Sequence, residues 1–335
     1  MALPDSLLLK ALSYTVVSVM NAIPITNTCQ FFSQYKILKH KQEMKTQTIY
    51  TRSKYILIVT MMILLIMNAC GKSDAPLPDQ QKTGQFSIEF DNIVGEETLG
   101  FEPRVYKNAQ GELFRIKTLQ YFISNIKLYK ADGSAHTVPQ EDSYFLINGA
   151  DRSSRFTKVK VPEGDYTKVE FIIGVDSLRS TMPVEKRTGV LSFNPGEGHE
   201  GGAMYWGWNS GYIFFKMEGY CDLIADNQQG DPTGNKQFRY HIGGFGGYSS
   251  PTLNTIKKIT VDLNKAGIAQ VREGLRSNVH LFVDILKVFN GPHTFSIATH
   301  PNVMFSEYST HIASNFPHFF SHDHTENFVR NENEL

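Results

Sequence analysis

The chain has 335 residues, and its 33 Lys plus Arg balance 33 Asp plus Glu. With no basic run or face, nucleic acid is excluded as the leading partner. Its three cysteines, Cys29, Cys70 and Cys221, are too few and too scattered for a disulfide framework.

The N-terminus reads as a targeting segment. Met44-Lys45 makes a conventional start, so residues 1–43 are read as an upstream extension outside the fold. Residues 55–69, YILIVTMMILLIMNA, form an apolar run preceded by Lys45, Arg52 and Lys54. The run falls short of the ~20 residues of a membrane span and has the length of a signal-peptide core. It closes on Ala69-Cys70, which resembles a bacterial lipobox. Residues 44–69 are therefore expected to be a lipoprotein signal peptide, with Cys70 as the acylated mature N-terminus. An uncleaved membrane anchor is the alternative. Residues 70–83, rich in Pro, Asp, Ser, Gln and Lys, read as a flexible tether.

The folded domain is expected over 84–325, followed by a polar tail at 326–335. Phe86, Ile88 and Phe90 alternate with Ser87 and Glu89, the period of a half-buried strand. Strand patterns follow at 113–129, broken by the hairpin signal Asp132-Gly133, and then at 159–166 and 169–175. Further β-rich segments lie at 213–217, 238–242, 256–263 and 279–285. Helical periodicity is confined to short stretches near Ile285–Phe289 and Thr310–Phe316. The pattern predicts an all-β fold, an antiparallel β-sandwich of immunoglobulin-like architecture with a few short helices.

The chemistry-bearing residues lie late in the chain. Nine of the eleven histidines fall at or after His199, and neutral imidazole is the commonest protein ligand for transition metals. His241 stands between a strand and the glycine run Gly243–Gly247, read as a loop over a small site. His300, before Pro301, is the second candidate ligand. His280 is expected to pair with Asp284 on its own strand face. His322-Asp323-His324 would put two rings on one face of a strand, though near the tail it also reads as solvated. Cys221 reads as a buried small hydrophobe. Both tryptophans lie in GAMYWGWNSGYIFFKMEG, where Trp206 and Trp208, with Met204, share one face of an extended chain. They roof the core or serve a site. No G-x-S-x-G elbow, phosphate loop or H-E-x-x-H motif occurs, so a hydrolase built on the histidines has little to support it.

Four groups of segments carry a family resemblance. NAQGELFRIKTLQYFISNIKLYKADGS and VPEGDYTKVEFIIGVDSL form the first part, GAMYWGWNSGYIFFKMEG with FRYHIGG the middle, and VDILKVFNGP with HPNVMFSEYSTHIASNF the end. Together they resemble the MbnP-like copper-binding proteins, exported proteins associated with methanobactin handling, with many lipoprotein members. The resemblance implies copper, rather than zinc, held by histidine. It also implies a tryptophan oxidised to kynurenine by a partner di-haem enzyme resembling a bacterial peroxidase. Carried onto this chain, it offers Trp206 or Trp208 as the oxidised residue and His241 and His300 as ligands, with His199 and Met304 as further candidates. Where a W-x-H step would mark the copper site, this chain has Trp206-Gly207-Trp208.

The expected function is a lipid-anchored copper carrier or store of the bacterial cell envelope, without turnover. It would be an outer-membrane lipoprotein facing the periplasm or the surface. The alternative is a surface lipoprotein that binds a glycan or peptide through an aromatic face of Tyr205, Trp206, Trp208 and Tyr212.

Overall fold

A computed structural model describes residues 81–192, 204–207, 209–226 and 234–330. The segments read as extension and signal peptide and residues 70–80 of the tether lie outside the described residues, as do Cys70, His199 and Trp208, while Thr83, read as the tether's last residue, already belongs to the first strand. Alternation builds the first strand as the sequence predicts. In β1 (Thr83–Val94), Phe86, Ile88 and Phe90 are fully buried and Glu89 keeps partial exposure, but Ser87, expected on the exposed face, is also fully buried.

In chain order there follow β2 (Glu97–Thr98), β3 (Tyr106–Lys107), β4 (Leu113–Lys130), β5 (Ala135–Thr137), β6 (Tyr144–Asn148), β7 (Phe156–Pro162) and β8 (Gly164–Ile173). After them come β9 (Tyr205–Gly207), β10 (Gly211–Tyr220), β11 (Gln237–Gly243), β12 (Lys257–Asp262), β13 (Ala269–Val271) and β14 (Leu275–Asp284). The last strands are β15 (Asn302–Val303) and β16 (Phe320–Arg330). The short helices are α1 (Ser177–Thr181) and α2 (Glu307–Asn315), with a 3-10 turn at Ile285–Val288 close to the stretch read as helical. Among the described residues, no helix is long and apolar enough to cross a membrane.

The fold is all-β, in two sheets. The five-stranded sheet runs β16-β14-β1-β2, with β7 also on β1. The eleven-stranded sheet runs β12-β8-β4-β10-β11-β15, with β13, β3, β5, β6 and β9 as side branches. Aromatic rings join the two. Phe90 of β1 meets Phe171 of β8 edge-on at 5.5 Å and Tyr121 of β4 at 6.3 Å. Such pairs add about 0.5–1.5 kcal/mol each beyond simple burial. The buried Tyr121 hydroxyl donates to Asn92 Oδ1 of β1 at 3.0 Å, so its polar end is satisfied across the core.

Two features differ from the antiparallel expectation. β1 pairs with β14 in parallel, Gln85 opposite Arg276 through Ile93 opposite Asp284, and β11 pairs with β15 in parallel. Turn signals reveal only hairpin neighbours, whereas parallel partners are joined by long crossovers. β16 also continues to Arg330, into the segment read as a polar tail. Its edge position leaves it polar and part-exposed, so composition alone looks like a tail.

One buried carboxylate ties a late loop to the sheet. Glu112, 4% exposed at the start of β4, accepts from Ser296 Oγ at 2.7 Å, Ile297 N at 2.8 Å and Ala298 N at 2.9 Å. It also accepts from Asn108 Nδ2 at 2.6 Å. Burial opposes its ionisation, but these donors outweigh burial and hold its carboxyl below the ordinary glutamate range. A depressed folded value stabilises the fold above the ordinary range, and the contribution disappears as pH falls through the folded value. Glu112→Gln keeps the volume, loses the charge and turns an NH2 group toward backbone donors. The expected cost is about 2–3 kcal/mol near neutrality, read as a lower urea midpoint. The wild-type advantage should vanish in strongly acidic buffer.

Candidate functional site

Strand alternation places His241. Along β11, Phe238, Tyr240 and Ile242 face the core, and Gln237, Arg239, His241 and Gly243 face the other way. On the neighbouring β10, Lys216 stands opposite His241 and Glu218 opposite Arg239. His241 Nε2 lies 2.7 Å from Glu218 Oε1, and Lys216 Nζ lies 3.9 Å from the same oxygen. Hydrogen bonding from His241, opposed by burial and aided by Lys216, holds the Glu218 carboxyl below its usual range. A carboxylate acceptor at this distance fixes Nε2 as the protonated nitrogen and leaves Nδ1 with the lone pair. That is the carboxylate–histidine arrangement by which proteins orient metal-binding imidazoles.

Trp206 completes this end of the strand. A side-chain carbon on Gly243 would meet Trp206 Cζ3 at 3.0 Å and Tyr212 O at 2.3 Å, so the indole lies against bare backbone two residues beyond His241. Gly243 stands two residues beyond His241 on β11, which brings the indole to this end of the strand, where it packs against the core. The indole is part-buried and meets Phe305 edge-on at 5.8 Å. Phe305 follows Met304, and Met304 follows Val303, the register partner of Tyr240. His241, Trp206 and the Met304–Phe305 step are therefore gathered at one end of the β11–β15 pair.

The glycine run is packed, in contrast to the loose loop expected. Phe245 is 2% exposed, Gly246 N donates to Leu253 O at 3.0 Å, and Thr255 N donates to Gly244 O at 2.9 Å. Gly244, at φ +112, lets Phe305 and the Leu253 carbonyl approach to where a side chain would stand.

His300 is not brought to this place. Asn302 stands opposite Arg239, so His241 lies two residues ahead of that pair and His300 two residues behind it. Its ring packs on Tyr308, at 3.9 Å between centroids, and on Phe295, which sits on the core-facing Tyr240. Tyr308 also meets His311, whose ring stacks on His293 at 4.4 Å. This run of rings went unread in the sequence because it joins α2 to the 293–300 loop. Only the Tyr308-x-x-His311 spacing on a helix could have signalled it.

Other residues fall as follows. Cys221 is a buried free thiol whose ionisation is suppressed by burial. Tyr212 is fully buried, with its hydroxyl donating to Leu191 O at 2.6 Å, which removes it from any aromatic binding face. His280 does not pair with Asp284. That carboxylate accepts instead from Gly95 N and Leu286 N. Among the described residues, one group of three ligand-bearing side chains of the His/Cys/Asp/Glu type gathers within 4.8 Å. It is His280, His324 and Glu326, on the five-stranded sheet.

Three comparisons bear on this arrangement. No curated protein matches the chain. Among solved structures, MbnP from Methylosinus trichosporium is similar at 13% identity over 68% of this chain and 82% of that one, with a TM-score of 0.45. The family model described as MbnP matches residues 83–305, from the first residue of β1 to the Phe305 that touches Trp206. The chain belongs to the MbnP family.

Proposed function

We propose that the protein is a lipid-anchored copper-binding protein of the bacterial cell envelope, a carrier or store that performs no turnover. Membership of a family linked to copper handling supports the metal. The observation that carries the reading is the placement of Trp206 on Gly243, two residues along β11 from His241.

The donors fit a soft, low-charge ion. His241 offers Nδ1, backed by Glu218, and Met304 at the adjoining chain position offers a thioether. Imidazole with thioether suits copper, and Cu(I) in particular, over the harder divalent ions. An intact indole has no free lone pair for a metal. Oxidation of Trp206 to kynurenine by a di-haem peroxidase-like partner would supply an amine nitrogen at this position. His199 and Trp208 remain candidate donors in the segments flanking β9, and His300 a candidate for a separate contact. The anchor would be lipid on Cys70. We take the two sheets to close as an immunoglobulin-like sandwich, for which the Phe90 contacts speak.

Two outcomes test this reading. The chain with Cys70 replaced by Ser, recovered from a periplasm supplied with copper, should carry near-stoichiometric copper. The peptide bearing Trp206 and Trp208 should show the mass of an oxidised tryptophan. Metal-free protein of unmodified mass that also refuses copper in titration would overturn the proposal.

Substitutions at the histidine and its orienting carboxylate should separate their roles. Glu218→Gln should weaken copper about tenfold, the usual effect of losing an orienting partner, and His241→Ala by more than about 100-fold. Competition with a copper chelator reads both. Unchanged affinity in His241→Ala removes that residue from the site.

A further inference from the structure

We infer that Glu89, His280, His324 and Glu326 form a divalent transition-metal site on the five-stranded sheet, separate from the copper site proposed above. The register assembles it. Glu89 of β1 stands opposite His280 of β14, and His280 stands opposite His324 of β16, so the three lie in one row across three strands. Glu326 comes from the next row, opposite Asn278. His280 Nε2 lies 3.2 Å from Glu89 Oε2 and 3.3 Å from Glu326 Oε2.

An amide donor and two carboxylates converge on His280 Nε2. Asn278, buried beside it, spends its oxygen on the Ser87 hydroxyl at 2.5 Å, which turns its Nδ2 donor toward Nε2 at 2.8 Å. A protonated Nε2 would therefore point a donor at a donor. An unprotonated one would leave two carboxylates facing its lone pair. A cation among Nε2, Glu89 and Glu326 would neutralise the two carboxylates, with the Asn278 amide donating to Glu89 Oε2 at 3.3 Å.

The surroundings favour such an ion. Among the described residues, Glu89, Asp91, Asp323 and Glu326 outnumber the one cation paired with the group, Arg155, which approaches Glu89 and Asp91 at 3.7 and 3.5 Å. His324 donates through Nδ1 to Asp323 at 2.9 Å, leaving Nε2 for the metal. Its ring lies stacked on His280 at 4.2 Å, so its lone pair runs alongside that of His280. With a side chain 49% exposed, His324 can turn to meet the ion. Two imidazoles and two carboxylates are the donors of Zn2+ and Cu2+ sites, not of Ca2+ or Mg2+ sites. Two of the four donors, His324 and Glu326, lie beyond residue 305, where the family match ends. Metal here would clamp the C-terminal edge strand to β14 and β1.

Calorimetric titration of the full chain with Zn2+ tests the site. One equivalent should bind, and His324→Ala and Glu326→Gln should each weaken it about tenfold or more. His241→Ala should leave it unchanged. His324→Ala alters an exposed ring on an edge strand, so it reports on the site even where His280→Ala fails to fold. Hydrogen exchange in β16 should slow on Zn2+ addition in the wild type and not in His324→Ala. Absence of Zn2+ binding, or equal affinity in the His324 and Glu326 variants, overturns the inference. So does a loss confined to His241→Ala, which would assign the ion to the β11 site.

Discussion

The parallel pairing of β1 with β14 is the constraint on which the rest depends. It joins the first described strand to one near the end, from Gln85 opposite Arg276 to Ile93 opposite Asp284. β1 then carries β7 on its other side, and β14 carries β16. Without that central pair, the five-stranded sheet falls into two unconnected pieces, β2-β1-β7 and β14-β16. Phe90 would also lose the position from which it meets Phe171 and Tyr121 of the second sheet. Closing contacts this far apart in sequence costs loop entropy early in folding. The buried aromatic face of β1 is what offsets it.

The same economy holds the late loops. The segment from His293 to His300 has little secondary structure, yet two buried side chains fix it at both ends. Asn315 of α2 donates to Val288 O and His293 O and accepts from His293 N, while Glu112 takes the amides of Ile297 and Ala298. β15 then continues from this loop into its pairing with β11. The position of Met304 and Phe305 relative to His241 and Trp206 thus rests on a carboxylate at the start of β4.

Much of the fold was legible because strands write their burial into parity. Phe86, Ile88 and Phe90, the Asp132-Gly133 turn and the buried Cys221 all stand as read. What could not be read was long-range. His280 and Asp284 share a strand face, and local reasoning pairs them. The structure gives His280 two glutamates from other strands, Glu89 of β1, far earlier in the chain, and Glu326 of β16. The His322-Asp323-His324 step fails for a related reason. A bulge sets His280 opposite His324 but Leu281 opposite His322, so the two rings part company, and His322 turns to Thr325. The glycine run looked like a flap because glycine marks loops. Here it serves close approach, letting Trp206 and Phe305 rest on backbone.

The two histidine sites differ in the chemistry they can do, and the difference follows from which strand face each occupies. At His241 a single carboxylate is already engaged with the imidazole and with Lys216, and the remaining neighbours are an indole, a phenyl ring and a thioether-bearing residue. That environment adds little negative charge, which suits the soft monovalent ion proposed for it. At His280 the carboxylates are directed at the imidazole nitrogen itself, on an interior strand next to the edge strand β16 and within reach of solvent. A divalent ion there would be held by charge as well as by nitrogen. It would exchange more slowly and act on the strand that supplies half of its donors. A clamp there would matter for the whole fold, because a frayed β16 would loosen β14 and with it the pairing that closes the five-stranded sheet.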